Sequence, residues 1–251
     1  MSTTVTTLTV FGMLTVAILS GRGVRSLLPE HHLGADTRDA IKLATGLVAT
    51  MTALLLGLLV SSARGTFDSE RMEVIQMAAK ISFLGRVLEL YGSEAADARS
   101  QLHSTVEHTI RQIWPEDKSA LPLLSPETEG GSVVFGTIER LSSKDDSQRS
   151  LKAEAVSLAL DLGQMRSLLV AQATPSVSRP LVDMVVCWLV VIFLSFSLVA
   201  PPNATATLSL LVSALAASAA IFLILELDRP FGGLIQISSQ PMLNALNHLP
   251  K

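Results

Sequence analysis

Three ionisable residues close together could do chemistry at a membrane edge. Glu226, Asp228 and Arg229 are the first charges after a long apolar run. Acids beside a base at such a place can pair or bind an ion, and ionisable groups there are often functional. A helix end reaching into the headgroups with an Asp–Arg pair explains them more simply, because a charge at the end of a span costs far less than one at its centre. The remaining reactive side chains are scattered. His31 and His32 are adjacent, and neighbouring rings with no third ligand at helical spacing read as a solvated loop. His103 and His108 are five apart, off the three-or-four spacing that puts two ligands on one helix face, and are expected to be exposed. Asp145-Asp146 and Glu116-Asp117 lie in polar stretches and read as solvated charge. Cys187 is the single cysteine, which excludes an intrachain disulfide and a thiolate metal cluster. No nucleophile elbow, phosphate-cradling glycine loop or HExxH motif is present. The sequence therefore offers no catalytic residue, no metal site and no cofactor site, and an enzyme is the weakest class.

The elements that carry these residues are set by hydrophobicity. Hydrophobic residues make up 49% of the 251 and charged residues 16%, against roughly 25% charged in a soluble domain. Met184 to Leu225 is free of Lys, Arg, Asp and Glu, and Pro201-Pro202 divides it, because proline lacks the helical N–H and clashes with the preceding turn. The halves, about 181–200 and 204–225, each approach the roughly 20 residues that cross a bilayer core as helix. Leu43 to Ala63 is a third charge-free run. Residues 1–21 supply the fourth, with the apolar part from Val5 to Leu19. The basic n-region and small-x-small cleavage site of a signal peptide are missing, so this reads as a retained helix. Its threonine hydroxyls can bond back to helix carbonyls. A connector of about twenty residues is expected next, holding Arg22, Arg25, Pro29 and Asp36.

Between the second and third spans the composition becomes that of a soluble domain, with 13 Lys+Arg and 16 Asp+Glu from Arg64 to Arg179. Met77, Ile81, Leu84, Leu88 and Tyr91 keep the 4-3-4-3 spacing of an amphipathic helix, starting near Asp68. Ala98, Leu102, Val106, Ile110 and Ile113 continue it until Trp114-Pro115. Residues 115–131 read as a Pro/Gly loop and 132–141 as a short helix. Leu151, Ala155, Leu158, Leu162, Met165 and Leu169 mark another long amphipathic helix, ended by Thr174-Pro175. Pro230 and Gly232-Gly233 stop the last span, and residues 238–251 can add a short helix. The expectation is an all-α integral membrane protein: four transmembrane helices with a long amphipathic helical domain between the second and third. Its parts are 1–63, a first hairpin; 64–179, the extramembrane domain; 180–225, a second hairpin; and 226–251, a tail.

Four spans put both termini and residues 64–179 on one side. Arg64, Arg71, Lys80, Arg166, Arg179 and Arg229 lie on that side near the membrane, against Arg22, Arg25 and Arg38 on the other. The positive-inside bias makes the first side cytoplasmic, although Arg22 and Arg25 hug the first span and pull the other way. Formal net charge is −3 with no basic block, so nucleic acid is not a partner. The bilayer is.

On the second span Ala49, Ala53, Gly57 and Ser61 recur every four residues and form a small face, which in lipid lets another helix approach closely. Leu47, Met51, Leu54 and Leu58 fall on a different face. The span end LLLGLLVSSA (Leu54 to Ala63), running directly into a long amphipathic helix, and the closing ELDRPFGGLIQISSQPM (Glu226 to Met242) resemble the bestrophin-like family of bacterial membrane proteins. Chain order matches as well: two spans, a helical domain, two spans, a tail. The resemblance implies kinship in architecture with bestrophins, which are pentameric ion channels with a cytosolic helical domain and a pore neck lined by the second membrane helix. It thus implies a homo-oligomer in the cell's inner membrane, with inorganic ions as cargo. The aromatic-rich neck of animal bestrophins is missing, since residues 43–63 hold no aromatic residue, so anion selectivity is not implied.

Two readings stand. In a channel, the small face would pack between helices and the Leu47/Met51/Leu54/Leu58 face would form a ring that gates by losing its water. In a non-conducting membrane protein, the helical domain would bind a protein partner and the leucines would face lipid. Topology is testable at once. In a Cys187→Ser background, Ser132→Cys and Asn203→Cys are expected to label from opposite sides of the membrane. Labelling of both from one side would mean that one proposed span does not cross.

Overall fold

The computed structural model describes residues 3–27, 29, 34–115, 130–172, 179–201 and 203–249. Helices follow one another as α1 (Thr3–Leu27), α2 (Ala35–Tyr91), α3 (Ala96–Ile113), α4 (Gly130–Glu139), α5 (Asp146–Gln172), α6 (Arg179–Val199), α7 (Ala204–Leu227) and α8 (Gln240–Asn247), with no strand among the described residues. Four of them, α1, α2, α6 and α7, are long and apolar enough to cross a membrane. The chain divides into two compact units, Met1–Thr66 with Ser176–Asp228, and Phe67–Pro175 with Arg229–Lys251. His31-His32, Glu116-Asp117, Thr174-Pro175 and Pro202 lie outside the described residues, as does most of the 115–131 stretch.

In the first unit α1 packs against both α6 and α7. Helix α1 does not stop before Gly21-Arg22-Gly23, as the sequence suggests; it runs on through Arg25 to Leu27. The glycine is there for proximity. A Cβ on Gly21 would lie 2.7 Å from the Leu194 carbonyl oxygen and 2.8 Å from Ser197 Cβ, so only hydrogen fits between α1 and α6. One turn earlier the buried Ser197 hydroxyl donates to the Ile18 carbonyl at 2.5 Å. Val10, Leu14, Ala17 and Ile18 of α1 and Val185, Leu189, Ile192 and Phe193 of α6 are buried. Among lipid tails no hydrophobic gain drives such association, so close packing and hydrogen bonds must hold it. The α1 threonines bond as expected: the Thr7, Thr9 and Thr15 hydroxyls donate to the carbonyls of Thr3, Val5 and Phe11 at 2.8–2.9 Å. Helix α7 begins after Asn203, whose side chain accepts from the Ala206 amide at 2.8 Å, a standard N-cap.

Helix α2 runs 57 residues without a break, so no helix starts at Asp68. At about 1.5 Å per residue it is roughly 85 Å long, far more than a bilayer core requires. It ends at Gly92, whose φ of 114° is the left-handed region that glycine enters at no steric cost. The expected continuous pattern from Tyr91 into Ala98 is therefore two helices, joined by one 3-10 turn, Ser93–Ala95. The periodic residues nonetheless face inward: Met77, Ile81, Leu84, Leu88 and Tyr91 are buried together with Ala98, Leu102, Val106, Ile110 and Ile113. Ala155, Leu158 and Leu169 of α5 join them, with Leu151, Leu162 and Met165 packed at the edge. Each large apolar side chain so removed from water contributes about 1.5–3 kcal/mol.

Polar ties fix this second unit. Lys80 of α2 pairs with Asp161 of α5, and the Gln148 amide donates to the Tyr91 carbonyl at 3.1 Å. Lys152 Nζ donates to the Glu139 and Leu141 carbonyls at 2.6 and 2.8 Å, capping the end of α4. An exposed pair joins Lys144 to Glu94 beside the 3-10 turn. The hydrogen bond from Lys144 holds the Glu94 carboxyl below its usual range, and the same bond raises Lys144.

Gly21→Ala is expected to destabilise the detergent-solubilised protein by about 1–3 kcal/mol, the range for overpacking a well-filled contact. Gly12→Ala, whose Cβ would meet nothing within 4 Å, serves as the control and should be neutral or slightly stabilising. Equal thermal unfolding of the two variants would show that the Gly21 contact does not hold the helices.

Candidate functional site

The membrane half of α2 has three faces. The one turned into the protomer is none of those singled out from sequence: Thr45, Thr52, Leu59 and Ala63 are buried. Their spacing of seven, seven and four returns to one side of a helix, and that periodicity was the available signal. Threonine can serve there because Thr52 returns its hydroxyl to the Val48 carbonyl at 2.7 Å, so that its polar group is satisfied on its own helix.

The other two faces are left uncovered by the protomer. On the large face Leu47, Met51, Leu54 and Leu58 are 63%, 50%, 70% and 64% exposed. On the small face Ala53, Gly57 and Ser61 are exposed and Ala49 half-buried, and a Cβ on Gly57 would meet nothing within 4 Å. Residues of α2 within the second unit are uncovered too: Met72, Phe83 and Leu90 are exposed hydrophobics.

At the end of α7 the structure treats the three charged residues differently. Glu226 is buried, at 2% exposure, Asp228 is the half-buried C-cap residue, and Arg229 is exposed. Each has a hydrogen-bond or electrostatic partner. A second carboxylate, Glu70 of α2, is also buried and was not singled out from sequence. His103 is half-buried, a correction to the expected exposure, while His108 is exposed and bonds to Gln112 at 3.1 Å. Among the described residues no three His, Cys, Asp or Glu side chains come together as a metal site.

The segment after Arg229 is a clasp. Phe231 is buried and meets Trp114 edge-on, with ring centroids 5.8 Å apart and planes at 79°. Trp114 Nε1 donates to the Ile237 carbonyl at 2.8 Å, and the Ile237 amide donates to the Pro230 carbonyl at 2.8 Å. Gly233, at φ 101°, lets the loop turn tightly enough to close. Met242 and Ala245 of α8 then bury in the core of the second unit. Trp114 was read from sequence as a helix terminator; it also holds the tail.

A bestrophin-like domain model matches residues 12–242. The chain belongs to the bestrophin-like family. Its long α2 and the clasp from Pro230 to Ile237 both lie within the matched range. Solved structures share the fold. One variant of a bacterial bestrophin homologue from Klebsiella pneumoniae aligns with a TM-score of 0.70 at 16% identity, over 99% of this chain and 97% of that one. A second variant gives 0.68 at 17%, over 99% and 98%. A structure described as a membrane protein gives 0.66 at 18%, over 97% and 95%. Among curated protein sequences none matches. At such identities the likeness is one of fold. With four apolar helices of spanning length, this bestrophin-like chain is a multi-pass membrane protein.

Trp114→Phe, which keeps a ring but removes the donor to Ile237, is expected to lower stability by about 1 kcal/mol. Phe231→Ala should cost about 3 kcal/mol and make the chain beyond Gly233 sensitive to protease. An unchanged unfolding temperature and protease pattern in both would remove the clasp.

Proposed function

We propose that this bestrophin-like protein is a homo-oligomeric ion channel, a pentamer on the family resemblance, in which α2 of each subunit lines a common pore. The observation that carries the reading is the uncovered surface of α2. In the first unit Leu47, Met51, Leu54 and Leu58 of α2 are exposed, and in the second unit Phe83 and Leu90 of α2 are exposed as well. Lipid can cover Leu47, Met51, Leu54 and Leu58. It cannot cover Phe83 and Leu90 in the water-soluble unit, so copies of this helix converging on one axis account for both. In that arrangement Ala49, Ala53, Gly57 and Ser61 pack helix against helix, and the four large residues form a dry constriction.

The protein is a channel and not an enzyme in this reading. It sits in the inner membrane, with residues 64–179 and both termini in the cytoplasm, on the arginine and lysine balance near the spans. Glu226, Asp228 and Arg229 mark where the chain leaves the bilayer. No metal and no organic cofactor is needed; the ligand is the permeating inorganic ion.

Two measurements test it. The mass of the purified particle should be a multiple of the chain, and a stable monomer would end the channel reading, because four spans without a polar interior leave no aqueous path. In liposomes Leu54→Ser should raise ion flux above wild type, since a wetted constriction lowers the barrier to a hydrated ion. Absence of flux in wild type, Leu54→Ser and Leu58→Ser alike would hand the function to partner binding by the helical unit.

A further inference from the structure

The face of α2 assigned above to the pore carries a charge at its outer end. Helix α2 begins at Ala35, and Asp36 in its first turn is exposed. Leu54 follows Asp36 by 18 residues, five full turns of an α-helix. At roughly 100° per residue, Leu47, Met51 and Leu58 fall within about 60° of the same line. Asp36 therefore stands at the head of the large face, in the same compact unit. The basic residues of this end lie elsewhere. Arg38 is half-buried and precedes Thr45 by seven residues, on the stripe turned into the protomer. Lys42 sits roughly 240° round the helix from Asp36 and is paired with Asp39 at 2.9 Å. Arg22 and Arg25 of α1 donate to the carbonyls of Asn203 and Ala200. The helix dipole stabilises an acid in the first turn whichever face it takes, so it does not dictate a place in line with Leu54.

We propose that Asp36, repeated around the axis, selects the sign of the permeating ion, and that this ion is an inorganic cation. The inference rests on the channel reading above and gives that channel its substrate class. Without Asp36 the mouth would be ringed by helix N-termini, each equivalent to about +0.5 charge, an arrangement that favours anions. One full carboxylate per subunit outweighs that partial charge and reverses the potential. Rings of Asp or Glu suit cation pores, because a rim of one sign between low-dielectric walls concentrates the opposite ion by about tenfold or more. Asp39 does not serve in its place, since it is turned off the face and its charge is offset by Lys42. Along the helix Asp36 is roughly 16 Å from Leu47, beyond a Debye length of about 8 Å at physiological salt. The carboxylates therefore act on ions gathering at the mouth, ahead of the dry constriction.

The full-length protein in planar bilayers under a potassium chloride gradient tests this, through the potential at which the current reverses. Wild type, or Leu54→Ser where the wild-type current is small, is expected to favour potassium over chloride by about tenfold or more in dilute salt. The preference should shrink as salt rises toward about 1 M, because the ring is then screened. Asp36→Asn should lose the preference or turn it toward chloride, and Asp36→Glu should keep it. Asp39→Asn, which removes the same charge from another face of the same helix end, should stay near wild type. The inference falls if chloride passes as readily as potassium, or if Asp36→Asn keeps the full preference. The reversal potential of the protein with Asp36 intact decides the matter even where a variant at that position fails to fold. Absence of current in wild type and Leu54→Ser alike removes the channel reading and this inference with it, whereas a current without cation preference removes this inference alone.

Discussion

A helix that ends at a bilayer must dispose of its last carbonyls, which have no partner within the helix and little water to turn to. In this protein the end of α6 is served by α1. Arg25 donates to the Ala200 carbonyl and reaches that of Leu198 at 3.5 Å, and Arg22 donates to Asn203 at 3.0 Å. Below them Gly21 and Ser197 bring the two backbones close. The length of α1 follows from this. A helix ending at Leu19, where hydrophobicity ends, would leave the α6–α7 turn uncapped, so α1 runs two turns further and spends its arginines on backbone oxygens. Those same arginines cloud the charge balance across the membrane, because a cation committed to carbonyls is placed by structure, whatever its side.

With α1 occupied by α6 and α7, α2 carries only a narrow inward stripe of Thr45, Thr52, Leu59 and Ala63. The rest of its membrane circumference remains for lipid or other subunits. An isolated helix this long draws little stability from propensity alone. Its part in the second unit is anchored by the Met77-to-Tyr91 stripe and by the Lys80–Asp161 pair. Exposed apolar side chains thus occur on both stretches of α2, Leu54 and Leu58 in the first unit and Phe83 and Leu90 in the second.

Where burial alone decides conformation, residue spacing was a sufficient guide. The core faces of α2, α3 and α5 are the positions that periodicity names, because each must hide one stripe from water. Spacing failed where a single interaction overrides hydrophobicity. Gly92 interrupts an otherwise seamless pattern because φ 114° turns the chain, and a lone glycine among helix formers does not announce that from sequence. Gly21 and Gly23, conversely, look like breakers and are not, since α6 needs the room at Gly21. On α2 the small and large faces were legible as patterns. The face that packs inside the protomer was hidden by its threonines, of which Thr52 returns its hydroxyl to its own helix.

The LDRPFGG string is the most specific part of the family resemblance, and its physical content is mechanical. Asp228 ends α7, the Pro230 carbonyl receives the Ile237 amide, Phe231 lies edge-on to Trp114, and Gly233 permits the turn. Asp228, Pro230, Phe231 and Gly233 thus each serve backbone geometry or packing. A string can therefore identify a fold sharply while saying nothing of its activity. In the proposed channel, side chains that would meet an ion face the opposite requirement: they must be left uncovered by their own protomer. On the membrane half of α2 that requirement is met by leucines, methionine and small residues, which many apolar sequences could supply. The part of the chain that would act is accordingly the part least marked in its sequence.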